Sequence, residues 1–518
     1  MFHNFQKAPV MSALAQTLVI IASALASPAL RAAVDQPTLS ATVIDGSSAY
    51  SPTELFAVYR DQLGRPISRE NAQAILAQIE AMYLRDGYSR PEFRLDDDLT
   101  GSGILRIEVF EPQITQITFN GDFGPYATEL DTLANELRGR VPLRAADLQA
   151  ALQSMRELPG LTVRATTRRD ETRRNSYTLI VDAQFKPIDA VIQLSNRGTH
   201  EIGPNFAFGQ VIANSPFGHR ERLGVLFSAA TDTGEYRGGG VFAEVPVTAD
   251  GTHLATTLFK TESNPTERPD RNDRYGRERM SLRATTPIIS KSSMKLSWSA
   301  GLDFDDLEIL RDDERLRNER LRVFELGTRL VGRAGASRQY VVGLQVRRGL
   351  SGLGSALNAI DLLDDPRRKD FTLMKLQLTE LWRFAPRWTV RLDALGQHSA
   401  YVLPDAERYK IGGERLGRGF EQTEIAGDQG LGGKLELRHE LSDAAAAFGK
   451  TSLYGFYDYA AAWKQDVEGR ESAASAGFGL ALEYWRLTAF IEVAKPVTAA
   501  DVEGDRDAKV FAEVKLKL

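Results

Sequence analysis

The stretch MKLSWSAGLDF, from Met294 to Phe304, alternates between apolar residues and polar or small ones. Its even-numbered positions carry methionine, leucine, tryptophan, alanine and phenylalanine, and its odd-numbered positions carry lysine, serine, glycine and aspartate. Successive side chains of a β-strand point to opposite faces, so a period of two predicts a strand with one apolar and one polar face.

The same alternation recurs along the C-terminal two-thirds of the chain, for example in RWTVRLDA (387–394), KLELRHEL (434–441) and KVFAEVKLKL (509–518). Short turns and long charged connections such as TESNPTERPDRNDRYGRERM (261–280) separate these stretches. A soluble all-β domain is the alternative, but a transmembrane barrel has this pattern, with apolar side chains toward lipid and polar ones toward the lumen. At roughly 20 residues per strand and connection, about 16 antiparallel strands fit.

The chain has 518 residues, a net charge of −5 and no cysteine. This length exceeds what one core usually organises, so two or more domains are expected. The nearly balanced charge lacks the basic excess of a nucleic-acid-binding protein. Without cysteine, disulfide scaffolds, cysteine nucleophiles and zinc–thiolate sites are excluded.

The N-terminus has the pattern of a secretory signal peptide, which we place at residues 1–33. Lys7 precedes the apolar stretch ALAQTLVIIASALA (13–26), and small residues follow it. A retained anchor helix is the alternative, but the stretch is short for a bilayer span, and no later segment approaches ~20 uninterrupted apolar residues. The sequence therefore predicts an exported protein.

An internal repeat lies between the signal and the predicted barrel. ATVIDGSSAYSPTEL begins at Ala41 and TQITFNGDFGPYATEL begins at Thr115, and both run through a glycine turn, at Gly46 and Gly121, to a helix start. An amphipathic helix and two alternating stretches follow in each copy. The order β-α-α-β-β occurs twice, which indicates two tandem modules, with two unrelated small α/β domains as the alternative.

The repeat resembles the POTRA domain of outer-membrane protein transporters, on the motifs YLRDGYSRPEF and LPGLTVRATT. The resemblance implies POTRA modules at 38–111 and 112–186, followed by a barrel at 187–518. The expected fold class is thus α+β modules followed by an all-β membrane barrel. The exposed edge of a small three-stranded sheet can accept an added strand from a client chain.

The barrel region resembles the two-partner secretion transporters of the haemolysin activation/secretion type, whose superfamily also contains the barrel-assembly insertases. The first-hairpin motif starts at Asn196, and SAGFGLALEYW and FIEVAKPV match the last strands. RLGRGFEQTEIAGDQG (415–430) is the most specific match. It implies a loop near 411–430 that folds back into the lumen, with the tip residues Arg418, Gly419 and Phe420 and the following residues Gly427 and Asp428.

The glycines and the arginine of this stretch are chemically suited to a loop that enters the lumen. Glycines let a loop backbone pass close to a wall, and an arginine removed from bulk water needs a carboxylate, preferably a bidentate one. The wall residue that the family uses corresponds to Asp458 in LYGFYDYAAAW, and Glu436 is a second candidate. We expect Arg418 and Asp458 to form a conformational latch, with an ordinary surface arginine as the alternative.

The resemblance implies an outer-membrane transporter of a Gram-negative bacterium, with its POTRA modules in the periplasm. The expected partners are one large secreted exoprotein in extended form, outer-membrane lipid and the barrel-assembly machinery, and no nucleic acid. An insertase for other barrels and a passive porin-like channel are the alternatives, although insertases more often carry three or more modules and porins carry none.

The sequence contains no P-loop, no nucleophile elbow and no histidines at metal-ligand spacing. We therefore expect export without ATP, and neither an enzyme nor a cofactor or metal site.

Overall fold

The structure is a computed structural model that describes residues 38–95, 103–199, 202–232, 234–248, 251–265, 272–291, 293–359, 364–442, 449–498 and 507–518. The predicted signal peptide at 1–33 lies outside these ranges. In the part of the chain that is described, no helix has both the length and the apolarity needed to cross a membrane.

The first repeat contains two helices and a three-stranded sheet in the order β3 between β1 and β2, with β1 and β3 parallel. Its first helix begins where Ser51 and Glu54 form a reciprocal capping box, which satisfies backbone donors that the helix leaves free. The elements are β1 (Ala41–Asp45), α1 (Pro52–Tyr59), α2 (Arg69–Arg85), β2 (Glu92–Leu95) and β3 (Ile104–Phe110).

The second repeat has the same element order, and its sheet places β6 between β4 and β5, with β4 and β6 parallel. Its buried core includes Tyr126, Leu130, Met155 and Val181. The predicted β-α-α-β-β order is confirmed in both repeats. The elements are β4 (Gln113–Asp122), α3 (Ala127–Asn135), α4 (Ala145–Arg156), β5 (Leu161–Arg169) and β6 (Ser176–Phe185).

By its internal contacts the chain divides into two compact units. One contains the residues up to Met82 together with Phe93–Phe110, and the other contains Tyr83–Glu92 and everything from Glu111 onward. The second repeat therefore belongs to the same compact unit as the strands that follow it.

The repeat glycines Gly46 and Gly121 occupy equivalent positions. Both have positive φ, of 84° and 103°. A Cβ at Gly46 would lie 2.3 Å from the carbonyl oxygen of Val109, and one at Gly121 would lie 2.1 Å from that of Ala183. Each turn thus passes too close to the neighbouring strand for any side chain.

We expect Gly121→Ala to destabilise the second repeat more than Gly139→Ala. Both positions have positive φ, of 103° and 74°, so alanine incurs similar backbone strain of about 1–2 kcal/mol at each. Among the described residues, no atom lies within 4 Å of a Cβ at Gly139, so only Gly121→Ala adds an overpacking cost of about 1–3 kcal/mol. Thermal unfolding of the two full-length variants measures the difference, and equal midpoints would contradict the prediction.

The second part of the chain forms a closed antiparallel barrel of 16 strands, as predicted. A short extra strand, β16, pairs with β14, and a two-stranded sheet, β19 with β20, stands apart from the wall. The elements are β7 (Ile188–Ser195), β8 (Phe206–Asn214), β9 (Arg222–Ala230), β10 (Tyr236–Pro246), β11 (His253–Ser263), β12 (Asp273–Lys291), β13 (Met294–Arg311), β14 (Glu314–Ala334), β15 (Arg338–Gly349), β16 (Ala356–Ala359), β17 (Thr372–Ala385), β18 (Trp388–Ser399), β19 (Tyr409–Ile411), β20 (Ile425–Gly427), β21 (Gln429–Glu440), β22 (Lys450–Trp463), β23 (Glu471–Tyr484), β24 (Leu487–Pro496) and β25 (Lys509–Lys517).

Closure comes from the pairing of the last strand with the first. β25 runs antiparallel to β7, from the pair Glu513 and Ser195 to the pair Lys517 and Val191. We call the end of the barrel at which β7 begins the proximal end and the opposite end the distal end. Because the strands alternate in direction, the connection between β18 and β21 lies at the distal end.

The outward face of the barrel is apolar, in the phase that the sequence predicts. Trp298, Trp388, Leu435 and Val514 are all exposed on it. The opposite phase supplies buried charged residues that face the lumen, among them Asp458 on β22. The apolar outer face is suited to contact with lipid, and the charged inner face is suited to a polar lumen.

One predicted connection is shorter than expected. The stretch 261–280 reads as a charged loop, yet β12 already begins at Asp273. Cross-strand ion pairs explain the difference, because Arg277 donates to Asp305 at 2.6 Å and Arg311 donates to Asp273 at 2.6 Å. Opposite charges on paired strands stabilise a sheet that continues beyond the roughly 9–11 residues needed to cross a bilayer.

Candidate functional site

The connection between β18 and β21, residues 400–428, folds into the barrel lumen. Its small sheet of β19 and β20 packs with Leu416 and Phe420 against Ala460 and Ala473 of the wall strands. We call residues 400–428 the lumen loop. It begins earlier than the predicted range near 411–430, and Gly430 already belongs to β21.

Arg418 at the tip of the lumen loop makes a bidentate ion pair with Asp458 on β22. The Nε and Nη2 atoms donate to the two carboxylate oxygens at 3.1 and 3.0 Å, and the backbone N–H of Arg418 donates to the same group at 3.1 Å. Arg418 is 4% exposed and Asp458 is fully buried. Such a charge-assisted, doubly hydrogen-bonded pair is among the stronger polar contacts in a protein.

Two further carboxylates from other wall strands reach the same guanidinium. Nη1 of Arg418 lies 3.2 Å from Glu436 on β21 and 3.0 Å from Glu492 on β24. These carboxylates also have wall partners, since Arg438 donates to Glu436 at 2.9 Å and Arg197 donates to Glu492. Three arginines therefore face three carboxylates, and the Arg438 side chain is 38% exposed. We call these six residues the tip cluster.

Neighbouring side chains hold the tip cluster from the wall side. The Arg418 guanidinium lies 3.3 Å from the ring centroid of Phe456, a cation–π contact. The Tyr454 hydroxyl donates to Glu492 at 3.0 Å, and the Ser475 hydroxyl donates to Asp458 at 3.4 Å. Wall residues thus hold the Glu492 and Asp458 carboxylates in addition to the loop tip.

Gly419 and Phe420 explain the rest of the tip motif. A Cβ at Gly419 would lie 2.7 Å from the backbone nitrogen of Pro496, so the chain passes the end of β24 too closely for a side chain. The Phe420 ring is 5% exposed and packs with Leu416 and Ile425. Glycine lets the tip approach the wall, and the ring fixes the tip within an apolar layer.

Gly427 and Asp428 lie at the base of the lumen loop and not at its tip. The Asp428 carboxylate accepts from the backbone N–H of Leu403 at 2.7 Å and from that of Gln465 at 2.8 Å. A Cβ at Gly427 would lie 2.7 Å from the carbonyl oxygen of Trp463. Within the described ranges Asp428 has no hydrogen bond or ion pair with Arg418, so it fastens the loop to its neighbours at a different place.

We expect Asp428→Ala to loosen the loop base without disturbing the tip cluster. Each lost hydrogen bond to a carboxylate is worth about 1.5–3 kcal/mol, so the amides of Leu403 and Gln465 should exchange hydrogen at least about tenfold faster. Hydrogen exchange measured by mass spectrometry tests this, with Asp466→Ala as the matched loop control. Unchanged exchange at both amides would contradict it.

A second charged cluster holds the stem of the lumen loop, and here the loop supplies the carboxylate and the wall supplies the arginine. Arg347 on β15 donates to Glu407 of the loop through Nη2 at 2.7 Å and Nε at 3.1 Å, and it also pairs with Glu325 and Asp303. Lys375 lies 3.2 Å from Glu407. We call these five residues the stem cluster. The wall arginine binds the loop carboxylate here, whereas a loop arginine binds wall carboxylates at the tip.

The sequence analysis selected Arg418, Asp458 and Glu436, which the structure brings together, but it did not select Glu492 or the stem cluster. Glu492 lies within FIEVAKPV and is a charged residue between apolar ones, which is the available signal for a lumen-facing position. Arg347 carries the same signal, because it alternates with Leu344 and Val346, whereas Glu407 lies in the loop and has no such pattern. Their meeting depends on where the loop lies in the barrel.

These clusters can form and exchange ion pairs, and nothing in their geometry positions a nucleophile. In the described part of the chain, no group of three or more histidine, aspartate or glutamate side chains is arranged to hold a metal ion. The three carboxylates of the tip cluster surround a guanidinium instead.

A closed 16-strand barrel preceded by POTRA-like repeats defines the class, an outer-membrane β-barrel transporter of a Gram-negative bacterium. Residues 175–482 match the family model described as haemolysin secretion/activation protein ShlB/FhaC/HecB. This match covers more than half of the chain. The chain belongs to this family, the two-partner secretion transporters.

Individual relatives agree with this assignment. The outer membrane transporter CdiB of Escherichia coli is 22% identical over 437 residues, which is 80% of this chain and 71% of that protein. The solved structure of CdiB from Escherichia coli aligns with a TM-score of 0.72 at 19% identity, covering 95% of this chain and 93% of that one. BamA from Haemophilus ducreyi lacking POTRA domains 1–3 aligns with a TM-score of 0.55 at 14% identity, covering 93% and 100%. At these identities the structural likenesses establish a shared fold.

Proposed function

We propose that this transporter exports one large partner exoprotein through its barrel. The POTRA modules, at 38–111 and 112–186, lie in the periplasm and catch the extended exoprotein. The barrel, at 187–518, conducts it outward once the lumen loop moves. The proposal rests chiefly on one observation: the lumen loop is held inside the barrel by ion pairs at its tip and its stem.

Ion pairs suit a loop that must both close a pore and leave it. The Coulomb attraction between two buried charges is large in a low dielectric, and it falls steeply when water enters and raises the dielectric. Entry of a hydrated polypeptide would therefore weaken the tip cluster at the moment when the loop has to move. A loop held mainly by apolar packing would not respond to water in this way.

Capture would use the free edges of the small sheets. β5 is an edge strand of its sheet, and β1 and β2 are the edges of the other. An extended client can add to such an edge through backbone hydrogen bonds, which need little sequence specificity. The second repeat shares a compact unit with the barrel, which suits delivery from capture to conduction.

No nucleotide is proposed to drive transport, and folding of the exoprotein outside the cell would make export irreversible. The apolar outer face of the barrel would contact outer-membrane lipid. The barrel-assembly machinery would insert the barrel, and it would do so by its last strand, β25.

Comparison of culture supernatants tests the export proposal. We would delete the gene, restore it, and compare the secreted proteins by mass spectrometry. Loss of one large protein on deletion, and its return on restoration, is the expected result. An unchanged supernatant with reduced abundance of several outer-membrane barrels would point to an insertase. An unchanged supernatant with altered uptake of small solutes would point to a porin-like channel.

A further inference from the structure

A cavity of about 730 Å³ lies between the lumen loop and the inner wall of the barrel. It is bounded by the wall strands β12 to β15, β17 and β18 on one side and by residues 406–423 of the loop on the other. We call it the lumen chamber. Its charged lining is strongly biased, since two carboxylates, Glu325 and Glu414, stand against six cations. The cations are Arg283, Arg329, Lys375, Arg408, Lys410 and Arg415.

Half of these cations already have carboxylate partners. Arg283 lies 2.9 Å from Glu325, and Lys375 lies 3.2 Å from Glu407. Arg408 lies 3.3 Å from Asp405. These pairs hold the loop and the wall in place and leave little charge to attract a ligand.

The remaining three, Arg329, Lys410 and Arg415, have no carboxylate within 4 Å among the described residues. Arg329 comes from β14, whereas Lys410 and Arg415 come from the loop. All three are exposed residues. Like charges confined between low-dielectric walls focus a positive field into the space between them.

We propose that the lumen chamber binds an acidic segment of the exported polypeptide, with carboxylates pairing to Arg329, Lys410 and Arg415. This inference rests on the proposed export function, because it names the chemistry of the passenger. A carboxylate-bearing chain would supply counter-charges to three cations that have no carboxylate within 4 Å among the described residues. It would not have to displace the carboxylates of the tip and stem clusters, because those carboxylates already pair with other arginines.

The chamber also gives the passenger a direct contact with the lumen loop. Two of the three free cations lie on the loop, and Arg415 is only three residues before Arg418. A passenger that pairs with Lys410 and Arg415 would engage the loop beside its latch. Acidic segments would thus enter the chamber more readily than basic ones and would bring hydrated charge next to the tip cluster.

Peptide binding to the detergent-solubilised full chain tests the proposal. The probes are a fluorescent ten-residue oligoglutamate and an oligolysine of equal length, followed by anisotropy. We expect saturable oligoglutamate binding that weakens as salt rises, and no oligolysine binding. The variant Arg329→Gln/Lys410→Gln/Arg415→Gln should bind about tenfold more weakly.

The matched control is Arg60→Gln/Arg85→Gln/Arg368→Gln, which removes the same charge from exposed ion pairs elsewhere. It should bind like the wild type. If the triple chamber variant fails to fold, Lys410→Gln and Arg415→Gln are measured singly, and each should lose part of the affinity. Equal binding by the chamber variants and the wild type, or no saturable binding, would overturn the proposal.

The secretion experiment separates this inference from the export proposal. If deletion abolishes secretion while the chamber variants bind oligoglutamate normally, export stands and the acidic-segment site falls. If binding behaves as expected but deletion leaves the supernatant unchanged, the export proposal falls and an acidic-peptide site remains.

Discussion

Arg418→Ala is expected to impair secretion of the partner exoprotein, because the lumen loop loses its fixed position, and to lower the stability of the barrel. The change removes one cation from three buried carboxylates. Glu436 keeps Arg438 and Glu492 keeps Arg197. Among the described residues, the hydrogen-bond donors that remain to Asp458 are neutral, the Ser475 hydroxyl and a backbone N–H, and Lys434 is its cross-strand neighbour. Leaving a buried charge without its partner costs about 3–5 kcal/mol.

Two further variants separate the charge of Arg418 from its geometry. Arg418→Lys keeps the charge but cannot bind a carboxylate through a planar fork, so we expect intermediate stability. Arg418→Met/Asp458→Asn removes both charges, and replacing a buried pair in this way is often neutral. The double variant should regain stability but not the latch, and should therefore leave the loop mobile.

Secretion is measured in culture supernatants, and stability is measured by thermal unfolding in detergent. Loop position is measured by thiol labelling of two single-cysteine variants, with the cysteine in place of Thr423 in the loop or, as a reference, in place of Ser68 in a module. Only the loop cysteine should gain reactivity in Arg418→Ala. Arg486→Ala, in a proximal turn, is the control arginine. Wild-type secretion and an unchanged melting temperature in Arg418→Ala would show that Arg418 is not a latch.

The second large effect is expected from Arg347→Ala in the stem cluster. Arg347 contacts three carboxylates, and its loss leaves Glu325 with Arg283 and Glu407 with Lys375. Because these pairs are buried, we expect the free energy of unfolding to fall by about 3 kcal/mol. The loop stem should also exchange its amide hydrogens faster than in the wild type.

A control arginine lies on the same strand. Arg338 pairs with Glu380, but its side chain is 54% exposed, so Arg338→Ala should cost under about 1 kcal/mol. Thermal unfolding and hydrogen exchange compare the two variants. Equal melting temperatures for Arg347→Ala and Arg338→Ala would contradict a structural role for the stem cluster.

Local sequence pattern sufficed for much of the fold. The alternation around Trp298 assigned both the strand and its outward face, because the side-chain period of a strand is independent of its neighbours. Gly46 and Gly121 marked matching turns, because only glycine fits where the turn meets the adjacent strand. The charged stretch beginning at Asp273 was misread as a loop, because its stabilising partners lie on another strand.

The residues of the lumen site also fall into those that the sequence predicts and those that only the structure identifies. By itself the sequence determined the strands, their lumen-facing residues and, through a family motif, Arg418 and its partner Asp458. Only the tertiary structure decided that Glu492, which is 74 residues from Arg418, meets it, and that Glu407 meets Arg347 across 60 residues. The physical reason is that alternation specifies which face a residue occupies, whereas strand register, barrel closure and the path of the loop decide which residues share one height in the lumen.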